Sequence, residues 1–250
     1  MLPEKNVKRM LLVALLVGAA GTMAAQGCFS VGEDTKVQFA ARNWRRPESQ
    51  DLFKWTEVQP RLASGERLLS KDEWVYLFTE RTDAYRLYAR ALVDGTEGLV
   101  ILPDRETWHL PDGLNFEFDD ADDGYATNRY TSDDWALMDA AGAIFLPAAG
   151  YSTDGKDVLD AKRYGSYWTS SLYGTDQPYI VSFDLGYLYY DSMHSASDVY
   201  RSVRTVEPWT PQGIDQIVNR QSSHRKFVQD GQLLIEHNGK TYNALGTEVK

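Results

Sequence analysis

The apolar positions of the chain change period several times, and each change predicts an element. "SKDEW" sets Ser70 three residues before Glu73, the spacing at which each side chain satisfies the other's backbone N–H at a helix start. Trp74, Leu77 and Phe78 follow at helical spacing, so this helix has one apolar face and ends near "RTDA". "YTSDDWALMDAAG" repeats the logic: Thr131 and Asp134 open the helix, Trp135 and Met138 share a face, and Gly142 stops it. Between the two helices, "LYARALVDGTEGLVILPD" reads as two strands around an Asp94–Gly98 turn, closed by Pro103. "AIFLPAAGY" reads as a short buried strand ended by Pro147 and Gly150.

Residues 164–192 hold seven of the fifteen tyrosines, which poses the question of structure against ligand stacking. Along "PYIVSFDL", Tyr179, Val181, Phe183 and Leu185 alternate with Ile180, Ser182 and Asp184, the period of a half-buried strand. Tyr179 and Phe183 are therefore expected in the core, as is Trp168 within "YWTSS". Gly186 offers a turn and "YLYYDS" a returning partner, while "VYRSVRTV" alternates again with Arg201 and Arg204 on opposite faces. "SSLYGTDQP" (170–178) and "DSMHSASD" (191–198) are small, polar and aperiodic, so both are expected as loops beside the aromatic strands. Loops on a rigid sheet are where binding residues sit, which makes Tyr173, Asp176, Asp191 and His194, with Tyr190 at the loop edge, the candidate ligand-binding residues.

After Pro211 the composition changes, with only Phe227 and Tyr242 as aromatics. "QLLIEHNGKTYNAL" alternates on both sides of Asn238–Gly239, a hairpin signal, and "GIDQIVNRQSSHRK" before it reads as a polar connector. A lone hairpin is marginal in water, so the tail is either an add-on docked to the body or a separate recognition element. The expected organisation is a signal peptide over 1–27, one α+β domain over 28–211, and a connector with hairpin tail over 212–250.

The first segment has a basic start (Lys5, Lys8, Arg9), an apolar run from Met10 to about Gly21 and small residues after it, the layout of a secretory signal. Cleavage after Ala24 or Gly27 both leave small residues at the positions that are read; Cys28 adds the alternative of a lipid-modified N-terminus. The expected location is outside the cell or on its surface, with a membrane partner only if Cys28 is lipidated. Cys28 is the one cysteine, so no intrachain disulfide can form. The chain carries −10; residues 1–27 contribute +2 and 212–250 contribute +1, leaving −13 on the body. That charge disfavours nucleic acid and anionic membranes and leaves cations, sugars and proteins as partners.

Candidate chemistry is sparse. His109, His194, His224 and His237 have no zinc spacing, and no phosphate loop, nucleophile elbow or body cysteine nucleophile occurs. "FEFDDADDGYATNRY" fails the calcium-loop pattern, because Ala121 stands third and Tyr130 twelfth when Gly124 is sixth. A looser calcium site there, and a carboxylate pair assembled by the fold for glycoside hydrolysis, stay open. The chain is expected to be non-catalytic, with no metal or cofactor.

Taken in order, "LLSKDEWVYLF", "GLVILPD", "IFLPAAGY", "GSYWTSS" and "RSVRTV" resemble the successive motifs of the Fibrobacter-type major paralogous domain family of exported bacterial proteins. The resemblance covers Leu68 to Val206 and implies a C-type-lectin-like fold with two helices and short antiparallel strands, often placed on bacterial surfaces. The calcium-binding loops of sugar-binding C-type lectins are missing, since Gln177–Pro178 is followed by Tyr179 and no Trp-Asn-Asp occurs. The reactive cysteines of formylglycine-generating enzymes are missing too. The expected function is adhesion: recognition of an extracellular glycan or protein through loops 170–178 and 191–198. The alternative is a structural subunit of a surface assembly, with the terminal hairpin offering edges for strand addition.

Overall fold

The computed structural model describes residues 27–46, 50–118, 125 and 127–210, together with strand backbones between 224 and 249. The expected signal sequence and the acidic stretch 119–124 lie outside the described residues. The chain forms two units, Met1–Pro208 and Trp209–Lys250.

In the first unit the elements run β1 (Phe29–Ser30), β2 (Lys36–Phe39), β3 (Phe53–Lys54), α1 (Trp55–Val58), α2 (Lys71–Val75), β4 (Tyr88–Val93), β5 (Thr96–Ile101) and β6 (Asn128–Tyr130). Then come α3 (Ser132–Ala140), β7 (Ile144–Pro147), β8 (Gly165–Tyr173), β9 (Gln177–Phe183), β10 (Leu188–Tyr189), β11 (Tyr200–Arg201) and β12 (Val206–Pro208). The unit is mixed α and β, with few helices and mostly antiparallel strands. The two expected helices are both present, and the single turn α1 adds a third.

Both helix starts form as their sequences dictate. Ser70 Oγ accepts the Glu73 N–H at 3.1 Å and the Glu73 carboxylate accepts the Ser70 N–H at 2.8 Å. Thr131 and Asp134 make the same reciprocal pair at 3.2 and 3.0 Å. Helix α2 continues as a wider π-helical turn over Tyr76–Glu80, burying Trp74, Leu77 and Phe78.

The central sheet has the order β6-β4-β5-β7, with only the β4–β6 pair parallel. Its hairpin turn is tighter than the expected Asp94–Gly98: Val93 pairs with Thr96, and Asp94 and Gly95 alone turn the chain at φ 47° and 74°. Gly95 meets that left-handed requirement without Cβ strain. Along β5, Leu99 and Ile101 enter one apolar cluster with α2, while Val100 enters a second cluster with Met138 of α3. Both faces are covered, which is why "GLVIL" is a continuous apolar run rather than an alternating one.

The second sheet, β10-β9-β8, is also covered twice. Val181 and Phe183 face the cluster beneath α2, whereas Ile180 packs with Trp168, Phe53, Leu68 and Val203. The expected half-buried strand is therefore buried on both sides over Ile180–Phe183, because the Phe53–Val58 segment covers its second face. Phe183 and Trp168 are core, as expected; Tyr179 is not, and remains half-buried at the surface. The strands β1, β2 and β12 form a third sheet that joins the two ends of this unit.

One buried ionic group anchors β1. Arg81, 3% exposed, donates to the carbonyls of Leu77 at 2.8 Å and Leu102 at 3.0 Å and to the Asp104 carboxylate at 3.3 Å. Asp104 accepts from the Ser30 N–H at 3.0 Å and the Ser30 hydroxyl at 2.7 Å, and its own N–H reaches the Cys28 carbonyl at 2.8 Å. The Cys28 thiol is buried beside this carboxylate, so a lipid on its sulfur requires β1 to leave the fold. Burial, with the Asp104 charge adding to it, pushes the thiol from 9.0 up to about 11. The folded state then holds this proton where the unfolded chain releases it, so the contribution to stability is complete below pH 9 and is lost as pH rises toward 11. Between pH 9 and 10, the unfolding free energy of the wild type, read from urea titrations, should fall by up to about 1.4 kcal/mol per pH unit, a slope that Cys28→Ala lacks. Equal slopes in the two proteins would show that the thiol titrates freely. Comparison with the variant cancels the opposing drift from Arg81 and Arg204, which burial lowers to about 10.

The second unit is an antiparallel meander of β13 (His224–Gln229), β14 (Gln232–His237), β15 (Lys240–Asn243) and β16 (Glu248–Val249). His237 pairs with Lys240, so β14 and β15 form the antiparallel pair that the alternating pattern predicts, while Asn238–Gly239 lie outside the described residues. The expected connector gives up its last residues, since His224, Arg225 and Lys226 belong to β13. Pairing with the more apolar β14 overrides the polar local composition there, and the tail holds four strands rather than a lone hairpin. Among the described residues, no helix is long and apolar enough to cross a membrane.

Candidate functional site

The site is built at the far end of the β8–β9 hairpin. Trp168 pairs with Ile180, the ladder then breaks, and it resumes with Leu172 opposite Pro178 and Tyr173 opposite Gln177. The expected 170–178 loop is thus mostly strand, and only Gly174–Asp176 turn the chain. The small polar residues that signalled a loop instead line the irregular stretch: the Ser170 N–H donates to the Leu69 carbonyl at 2.9 Å and the Ser171 N–H to Thr169 Oγ1 at 3.2 Å. Gly174 takes a φ of +66° in the turn.

The 191–198 stretch also has more order than a loop. After β10 it bulges at 190–192 and returns to β9: the Ile180 N–H donates to the Met193 carbonyl at 2.9 Å, and the Ser195 N–H to that of Pro178 at 3.0 Å. His194 is thereby bridged to Tyr179. Tyr173 on β8, Tyr179 on β9 and His194 on the segment bridged to β9 come together. The Tyr173 and His194 rings stack with centroids 4.3 Å apart and planes 4° apart, and Tyr179 stands edge-on to both at 6.0 and 6.3 Å. Tyr173 is 53% exposed and His194 is exposed as well. From the start of α2, the Lys71 ammonium lies 5.3 Å from the Tyr179 ring centre, its backbone N–H held by Ser171 Oγ at 3.0 Å. Leu172 and Met193 are also exposed at this end.

Of the expected site residues, Tyr173 and His194 are brought into direct contact. Asp176 is exposed in the hairpin turn and Asp191 in the 190–192 bulge. Tyr190 departs from the expectation: it is half-buried against the α2 cluster, with its ring 5.6 Å from Phe78, so it belongs to the core edge and not to the stack. Sequence reasoning missed Tyr179 and Lys71. Tyr179 alternates in phase with core residues, and only the bridging of the 191–198 segment to β9 places His194 beside it.

A second aromatic pair stands at the other end of β9, where Tyr187, 64% exposed, stacks at 5.8 Å on the half-buried Tyr189. Among the described residues, no three His, Cys, Asp or Glu side chains converge as a metal would need. The arrangement at the hairpin end offers ring faces, an imidazole, aliphatic surface and one ammonium. No protein-family model matches the chain, and no curated protein or solved structure matches it.

Proposed function

We propose that the chain is an exported, non-catalytic binding module of C-type-lectin-like architecture that engages an extracellular protein through the end of its β8–β9 hairpin. The observation that carries this reading is the Tyr173–His194 stack, exposed yet held in place by Tyr179 and by the strand register. Stacked rings and exposed Leu172 and Met193 are the residue types that interface centres favour, since they bury large areas at little rotamer cost. The lectin-like architecture rests on the order of the five sequence motifs, and on two main helices set among short antiparallel strands.

A binding screen of the purified chain against extracellular matrix proteins and glycans, with and without EDTA, tests it. A saturable protein hit should weaken about 30-fold or more on Tyr173→Ala, the size of an interface hot spot of about 2 kcal/mol. Melting should shift little, because surface substitutions usually change stability by within about 0.5 kcal/mol. Unchanged affinity in Tyr173→Ala and His194→Ala would move the site elsewhere. A hit only on glycans, or one abolished by EDTA, would overturn the protein ligand or the metal-free chemistry respectively.

The second reading, a structural subunit, is favoured by one observation: β13 is an outer strand of six residues in its own sheet. Outer strands are templates for pairing. Deleting 212–250 should abolish assembly while sparing ligand binding if this reading holds.

A further inference from the structure

Between the Ala41–Arg45 stretch and α3 lies a cleft of about 480 Å³, within the range of roughly 300–1,000 Å³ typical of small-ligand sites. Its floor includes Arg204, 3% exposed, whose guanidinium donates to Asn43 Oδ1 at 2.9 Å, to the Ala40 carbonyl at 2.7 Å and to the Phe145 carbonyl. A guanidinium has five N–H donors, so two of them have no protein acceptor among the described residues. Nor does any carboxylate there lie within ion-pair distance of Arg204 or of Arg42 at the cleft mouth. Asp139, the carboxylate that acts on Arg204, does so through space without a direct ion pair, and the remaining guanidinium donors are matched by a bidentate carboxylate. This happens in a body of net charge −13, where two arginines at one cleft, neither in a direct ion pair, set it apart from the surrounding field.

Two other groups narrow the ligand. Trp135 lines the cleft half-buried, its ring braced by Phe145 at 5.6 Å, which gives a flat apolar wall. Asp139 lines it as well and accepts hydroxyl protons where a simple inorganic anion offers none. Burial raises the Asp139 carboxyl above its ordinary range, with Arg42 and Arg204 pulling the other way. We propose that this cleft binds a uronic-acid unit of an acidic glycan, with its carboxylate on Arg42 and Arg204, its ring against Trp135 and a hydroxyl on Asp139. Such a sugar combines in one small body the anion, the apolar ring face and the hydroxyl donors that the four side chains separately require. The site is independent of the hairpin-end surface.

Calorimetric titration of the full-length chain with trigalacturonate and with its neutral galactose counterpart tests it. The acidic trisaccharide should bind saturably and at least ten-fold more tightly than the neutral one. Arg42→Ala should weaken it at least ten-fold with melting unchanged, since Arg42 is exposed; Trp135→Ala should weaken it as well, with a lowered melting temperature because that ring also packs on Phe145. Tyr173→Ala should leave it intact, which separates this site from the hairpin-end one. Absent binding, equal binding of the neutral sugar, or wild-type affinity in Arg42→Ala would each overturn the proposal.

Discussion

Asp104→Ala is expected to destabilise the body by about 3–5 kcal/mol, the usual cost of removing one partner from a buried ion pair. The reason is the charge it abandons. The Arg81 side chain is 1% exposed, and without Asp104 its remaining partners are main-chain carbonyls alone. The same substitution frees the Ser30 N–H and hydroxyl, which hold β1 against the end of β5. Asp104→Asn keeps an acceptor of similar shape and should cost less, because it removes charge but not the hydrogen-bonding atom. Urea denaturation of the three proteins at pH 7 decides it. A loss below about 1 kcal/mol in the alanine variant would mean that Arg81 is solvated or re-paired, contrary to the geometry described.

Trp168→Ala should cost a similar amount, about 3–5 kcal/mol, by a different route. The indole is 1% exposed, packs in the cluster of Ile180, Leu68 and Val203, and donates to the Phe53 carbonyl at 2.7 Å. It also lies against the buried Arg201 guanidinium, 5.5 Å from its ring centre, as does Tyr151 at 5.3 Å. Truncation leaves a cavity, an unpaired carbonyl and a cation with one aromatic face lost. Trp168→Phe should recover most of the packing and leave a residual loss of about 1–2 kcal/mol from the missing N–H donor. Tyr173→Ala, five residues along the same strand, is the internal contrast, expected within about 0.5 kcal/mol of wild type. Similar losses for Trp168→Ala and Tyr173→Ala would erase the distinction between structural and exposed aromatics on β8.

How much of this was legible in the sequence varied with the range of the interaction. The capping pairs Ser70–Glu73 and Thr131–Asp134 lie within one helical turn, so their spacing carries the whole geometry, and both form. The hairpin between β4 and β5 is local in the same sense, but its turn reads as Asp94–Gly98 in the sequence and only pairing of Val93 with Thr96 narrows it to Asp94–Gly95. The 170–178 stretch misled because its small polar residues satisfy an irregular strand as readily as a loop, and only pairing with β9 chooses between them. Tyr179 misled for the opposite reason. Its alternation matches the core residues of β9, yet the covering elements end before it and leave the ring half-exposed. Arg201 and Arg204 carry no sign in the sequence that both are buried, since burial depends on residues more than thirty positions away.

By itself the sequence determined the helix starts, the existence of the β4–β5 hairpin, the apolar character of the main strands and the change of composition at the tail, all set by neighbours a few residues apart. It also determined the acidic balance of the body. Only the tertiary structure decided that Tyr173 and His194 stack, that Cys28 is enclosed beside Asp104, and that Arg42, Trp135, Asp139 and Arg204 share one cleft. Those meetings depend on strand register and on which element covers which face. Register and coverage are properties of the packed chain, where burial of distant segments outweighs any local preference.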